Sequence, residues 1–140
     1  MGAARDLYTE YVSLYSKLDY SGVASFYASD AVFADPINHH EGRKAIGAFF
    51  EEADKPFTDI RFEVAQLIEE GNLLVAEWVW QATNTGPLTM PDGSEIPATH
   101  KPVELPGVSI VSVRDGKISS HRDYFDSASV MSQLGLIPST

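Results

Sequence analysis

The sequence predicts an α+β fold, with three N-terminal helices packed on a curved, mostly antiparallel sheet so that a cone-shaped cavity is left between them. Three observations carry this. Apolar residues recur at helical spacing only before Asp54, they alternate with polar residues from Ile60 onward, and Gly-containing turns separate the alternating runs.

Over residues 4–18, Leu7, Tyr11, Leu14 and Leu18 form the inner stripe of a first amphipathic helix, widened by Tyr8, Val12 and Tyr15. A short second helix fits residues 21–28, with Val23, Phe26 and Tyr27 inward. AVFADP then reads as a strand stopped by Pro36. NHHEGRKAIGAFFEEA passes from a polar loop into a third helix whose inner positions are Ile46, Phe49 and Phe50. Beyond it Ile60, Phe62, Val64 and Ile68 share one strand face, the turn EEGN follows, and LLVAEWVWQAT returns with Leu74, Ala76, Trp78, Trp80 and Ala82 on a single apolar face. Residues 84–107 are rich in Pro and Gly and contain the turn signal MPDGSEIP, so they read as a long loop or protruding hairpin arm, the candidate lid. Residues 107–113 and 117–125 are strands joined by an RDG turn. Ser127 is placed to cap a closing helix that ends before Gly135.

The 140 residues, 44% of them hydrophobic, suit one domain over residues 1–140 with a substantial core. A net charge of -10 argues against binding to nucleic acid or anionic lipid. No apolar run approaches the ~20 residues of a membrane span, and MGAARDLYTEY lacks the features of a signal peptide, so a cytoplasmic location is expected. Without cysteine, thiol catalysis and thiolate-bound zinc are excluded. No metal-ligand spacing, phosphate loop or Ser-His-Asp pattern is present, and no cofactor is expected.

HRDYFD, residues 121–126, places His121, Asp123 and Phe125 on one face of the last strand and Arg122 and Tyr124 on the other. An aspartate in an apolar cavity has its pKa raised by desolvation, toward the range that suits a general acid or base. The alternative is that His121 and Asp123 form a satisfied structural hydrogen bond.

The order of elements, with YVSLYSKLDYSGVASFYASDAVFADP, HEGRKAIGAFF, VRDGKISSHRDYFD and QLGLIP, resembles the nuclear transport factor 2-like superfamily over nearly the whole chain. That superfamily includes ketosteroid isomerases, limonene epoxide hydrolases and SnoaL-like polyketide cyclases. The first stretch is similar to the isomerases and puts Tyr11 at their oxyanion-donor tyrosine and Asp35 at their general-base aspartate. Val108 or Ser109 falls where they carry a protonated aspartic acid. HRDYFD is similar to the epoxide hydrolases, whose water-activating aspartate matches Asp123. Their Arg-x-Asp pair falls on Trp78 and Trp80, and their water-holding Asn on Asp35.

QLGLIP and the arm GPLTMPDGSEIPATHKP look more like the SnoaL-like cyclases, which the sequence fits with fewest departures. This resemblance implies a cofactor-independent acid-base enzyme, a cyclase or isomerase, acting on a small hydrophobic carbonyl compound, and a homodimer. Asp123 would be central, with His121 tuning it and Asp35 and Tyr11 assisting. The alternatives are epoxide-hydrolase-like water activation by Asp123 and a binding protein that leaves its ligand unchanged. Tyr15, Phe33, Trp78, Trp80, Phe125 and, from the arm, His100 are candidate substrate-binding residues. Against these stand plainer readings: Asp35-Pro36 as turn chemistry, the tyrosines and tryptophans as core, His39, His40 and His100 as surface.

Overall fold

A computed structural model describes residues 2–90 and 92–138. Pro91, within the expected MPDG turn, and the terminal Met1, Ser139 and Thr140 lie outside the described residues. Four helices and eight strands are described: α1 (Ala3–Ser16), α2 (Tyr20–Ala24), β1 (Tyr27–Ala34), β2 (His39–Glu41), α3 (Arg43–Asp54), β3 (Phe57–Glu70), β4 (Leu73–Asn84), β5 (Leu88–Thr89), β6 (Glu95–Ile96), β7 (Pro102–Arg114), β8 (Lys117–Phe125) and α4 (Ser127–Gln133). None of these helices is long and apolar enough to cross a membrane.

Six strands form one sheet in the order β2-β1-β8-β7-β4-β3, antiparallel at every junction except the parallel β1–β8 pair. Register shifts interrupt β3–β4 at Thr58/Arg61 and Val64/Gln66, β7–β8 at Ser112/Val113 and β1–β8 at Tyr27/Val32. Such bulges increase local twist and bend the strands, which curves the sheet. The shift at Val64/Gln66 also reverses the faces of β3 beyond it. Leu67 therefore turns inward, and Ile68, expected on the core face, is 52% exposed.

Several boundaries differ from the expected ones: α1 ends at Ser16, leaving Leu18, expected on its inner stripe, 43% exposed, and residues 39–41, expected as loop, form β2. The second helix ends at Ala24, because Tyr27 and Ala28 join β1, where Tyr27 packs fully buried. β7 begins at Pro102 rather than Gly107, which shortens the loop. β5 and β6 form a separate two-stranded ribbon within it, and buried Asn84 ties its root: Nδ2 donates to the carbonyls of Pro56 and Gly86, while Oδ1 accepts from Thr99 N and Oγ1. The closing helix is capped by Asp126, whose carboxylate accepts from the amides of Ala128 and Ser129, and not by Ser127, which is already its first helical residue.

β7 loses one neighbour beyond Gly107, since its pairing with β8 ends at Gly107↔Phe125. Pro102 and Pro106 fall in that stretch, where a missing N–H does least harm to the ladder. Gln133 of α4 occupies the vacated edge: Glu104 N donates to Gln133 Oε1 at 2.7 Å, and Gln133 Nε2 donates to Glu104 O at 2.9 Å. One side-chain amide thus stands in for a strand.

Candidate functional site

The inner face of β8 carries His121, Asp123 and Phe125, while Arg122 and Tyr124 are exposed on the other face. Cross-strand register sets what surrounds them. Val111 lies opposite His121, Ser109 opposite Asp123 and Gly107 opposite Phe125. β4 continues these rows with Leu74, Ala76 and Trp78. Two of these positions are small, and the room they leave is used. A Cβ on Gly107 would sit 2.4 Å from the Trp78 ring, so the glycine is what lets the indole lie across β7.

A cavity of about 230 Å³ opens beside Asp123. Its apolar wall includes Phe33, Phe49, Phe50, Phe62 and both tryptophans; its polar groups include Tyr8, Tyr11, Tyr15, Asp35, Asp54, Ser109, His121 and Asp123. Among the described residues, no cluster of three or more His, Cys, Asp or Glu is placed to hold a metal ion.

Asp123 is anchored by one oxygen. Its Oδ1 accepts from Ser109 Oγ at 2.5 Å and lies 2.6 Å from His121 Nε2. Ser109 in turn accepts from Trp78 Nε1 at 2.8 Å, and since an indole N–H can only donate, the Ser109 proton is directed at Asp123. No donor among the described residues reaches Asp123 Oδ2. Because no buried side-chain oxygen or nitrogen lacks a partner, that oxygen is open to the cavity solvent. The side chain is 14% exposed.

His121 is fixed at both nitrogens. Tyr27 OH lies 2.7 Å from Nδ1, and Tyr11 OH lies 2.8 Å from Tyr27 OH. With Nε2–H donating to Asp123, Nδ1 accepts from Tyr27, which then accepts from Tyr11, so one chain of hydrogen bonds runs from α1 to Asp123. Burial pushes the Tyr11 and Tyr27 hydroxyls well above the usual phenol range, which keeps both protonated. Tyr8 is also pushed up, chiefly by burial and next by the charge of Asp123.

Of the residues singled out in the sequence, Asp123, His121, Asp35, Tyr11, Tyr15, Phe33, Trp78, Trp80 and Phe125 all line this cavity. His100 does not: it is exposed, and none of the described residues between Leu88 and His100 lines the cavity, so the described part of the arm does not cover it in this structure. Asp35 and Asp123 share the cavity, but the Asp35 carboxylate is engaged by its own turn. It accepts from the amides of Ile37 and Asn38 and from Asn38 Nδ2, as an Asp-Pro turn would have it. Tyr11 likewise spends its hydroxyl on Tyr27. Tyr8, Tyr27 and Asp54 are not among the functional residues the sequence singles out, and Ser109 enters there only as one of two residues at the position of the isomerases' aspartic acid. Of the first three only Tyr8 had a signal, its place three residues before Tyr11 on the same stripe.

Residues 8–121 match the family model of the SnoaL-like domain. Among solved structures, the chain is similar to AclR from Streptomyces galilaeus, provisionally named a hydroxylase, at 23% identity over 98% of this chain and 87% of that one, with a TM-score of 0.83. It is also similar to a protein of Shewanella putrefaciens CN-32 provisionally named a SnoaL-like polyketide cyclase (21% identity, 98% and 99% covered, TM-score 0.77). A third, provisionally named an isomerase, comes from Bacillus subtilis (18% identity, 96% and 94% covered, TM-score 0.76). At these identities the likeness shows the fold alone. No curated protein matches the chain by sequence.

Proposed function

The chain belongs to the SnoaL-like domain family, and on that premise we propose that it is a cofactor-independent acid-base enzyme transferring a proton next to the carbonyl of a small hydrophobic compound, as a cyclase or isomerase. The observation that carries this reading is the asymmetric carboxylate. Asp123 is held through Oδ1 by Ser109 and His121, while Oδ2 stands unpartnered beside apolar and aromatic walls.

In the proposed step, Oδ2 takes the proton from the carbon beside the carbonyl. The C–H bonding pair becomes the C=C bond of an enolate while the carbonyl π pair moves onto oxygen; in an isomerisation Asp123 returns the proton to a different carbon, and in a cyclisation the enolate carbon attacks a second carbonyl, whose oxygen takes the proton. His121 and Ser109 keep the carboxylate oriented throughout. The donor to the enolate oxygen in this reading, the role the resemblance gave to Tyr11, is Tyr8, which lines the cavity and whose hydroxyl is not engaged by Tyr27 as that of Tyr11 is. Asp35 then serves as a wall and turn residue rather than a second base. With this reading go the helices closing a cone over the sheet, one domain over residues 1–140, a homodimer and a cytoplasmic location.

The test is exchange of the α-protons of 2-tetralone in D2O, followed by NMR. The protein should accelerate exchange, and Asp123→Asn should lower that acceleration by about 100-fold or more while leaving the circular dichroism spectrum unchanged. Equal exchange with either protein would refute the proposal in favour of unreactive ligand binding.

A further inference from the structure

Besides Asp35, which is engaged by its own turn, the cavity has a further carboxylate that the proposed reaction does not use. Asp54, the last residue of α3, lines it together with Tyr15 and Trp80. Tyr15 OH donates to Asp54 Oδ2 at 2.9 Å, Tyr20 OH donates to the same oxygen at 2.7 Å, and Trp80 Nε1 donates to Tyr15 OH at 2.9 Å. Among the described residues nothing donates to Oδ1. No buried side-chain polar atom lacks a partner, so Oδ1, like Asp123 Oδ2, is open to solvent or ligand.

Tyr8, Tyr11 and Tyr15 follow one another along the same face of α1, and a rise of 1.5 Å per residue separates the first from the last by about 10 Å. Across the sheet Asp123 lies opposite Ser109 and Ser109 opposite Ala76, whereas Trp80, whose indole donates to the Tyr15 hydroxyl bound to Asp54, is four residues further along β4. The two carboxylates therefore mark opposite ends of a largely apolar cavity. Both are built the same way, with one oxygen fixed by the protein and the other open.

The geometry points to Asp54 as a second binding pole, whose Oδ1 accepts a hydrogen bond from a hydroxyl at the far end of an elongated fused-ring ketone. The placement of the ketone end at Asp123 rests on the function proposed above; the hydroxyl end does not. A ligand without that hydroxyl would bury Oδ1 unpartnered, and a charged acceptor left so is penalised more than a neutral one. Asp54 thus selects for the far substituent, and Asp123 for the reacting one.

Isothermal titration calorimetry with 2-acetyl-6-hydroxynaphthalene and 2-acetyl-6-methoxynaphthalene tests this directly. The protein should bind the hydroxy compound about tenfold more tightly, or better. Asp54→Leu should bring the two affinities within about twofold. Should that variant fail to fold by circular dichroism, Asp54→Asn carries the test: it keeps an acceptor for Tyr15 and Tyr20 but presents N–H at the open position, to which a hydroxyl and a methoxy oxygen can both accept, so the preference should be lost. Asp123→Asn should retain the hydroxyl preference even where exchange is lost, which separates this inference from the catalytic one. Equal binding of both compounds by the unaltered protein, no binding of either, a preference that survives both Asp54 variants, or its loss in Asp123→Asn would each overturn it.

Discussion

Tyr27 holds two neighbours at once, and its removal should be felt by both. Phenylalanine at 27 would leave buried His121 Nδ1 without a partner and deprive Tyr11 OH of the oxygen it lies against. Tyr11→Phe removes only the outer link and leaves the Tyr27–His121 bond in place. An unsatisfied buried polar group costs about 1–3 kcal/mol, so Tyr27→Phe should destabilise by about 2 kcal/mol or more and Tyr11→Phe by about 1 kcal/mol. Urea unfolding at neutral pH checks the order; equal losses would mean that the two hydroxyls do not act as a chain. At this scale the sequence was most informative where the signal is local. The two-residue period of HRDYFD correctly sorts His121, Asp123 and Phe125 from Arg122 and Tyr124, because alternation in a strand is a property of the strand itself. For Ser109 the resemblance leaves open whether it or Val108 holds the position, and only the β7–β8 register makes it the partner of Asp123. Asp54 carries no mark in the sequence, and only the approach of Tyr15 and Tyr20 from other elements distinguishes it.

Among the elements, the end of β7 depends on a residue far from it in sequence. Gln133 supplies both a donor and an acceptor to Glu104 where β8 no longer reaches, so the strand edge is covered by α4. Gln133→Ala should cost about 1–2 kcal/mol for the two net hydrogen bonds, since Glu104 is exposed and water replaces them in part. The amide of Glu104 should exchange with D2O markedly faster, whereas that of Val111, deep in the same strand and paired on both sides, should not change. Uniform acceleration along β7 would show that the edge is not a separate local unit. Element types were readable because each stripe or alternation is local; their ends were less so. Tyr27 has the helical spacing of Val23 and Phe26, yet it extends into β1 through its pairing with β8. Pro102 and Pro106 made the start of β7 look like loop, because the sequence could not show that this stretch has only one strand neighbour. The inward face of β3 was read correctly up to Val64 and wrongly at Ile68, since a bulge shifts the period without leaving a sequence mark.

For the whole molecule, acid should act on stability in two opposite directions, and one carboxylate separates them. Burial raises the Asp54 pKa above its ordinary value, against the downward pull of the Tyr20 and Tyr15 hydrogen bonds, with Glu51 adding charge near Tyr20. The folded state then binds the Asp54 proton more tightly than the unfolded chain. Its contribution therefore favours folding at low pH, fades as pH rises from the ordinary aspartate value through the raised one, and is absent above it. Asp30 runs the other way. Its bond to Arg114 holds it low, so its contribution is present above the ordinary value and lost as pH falls through the lowered one. With a net charge of -10, protonation of the remaining carboxylates also relieves self-repulsion, which makes the absolute pH profile a sum of many groups. The difference between the protein and Asp54→Asn cancels most of that sum. The variant should gain on the unaltered protein as pH rises from about 4 toward 7, and the gain should level off once Asp54 is ionised in both states. Urea midpoints taken in steps across that range measure it. A difference that stays flat would mean that the tyrosine hydrogen bonds fully offset the burial of Asp54 and that its pKa is not raised.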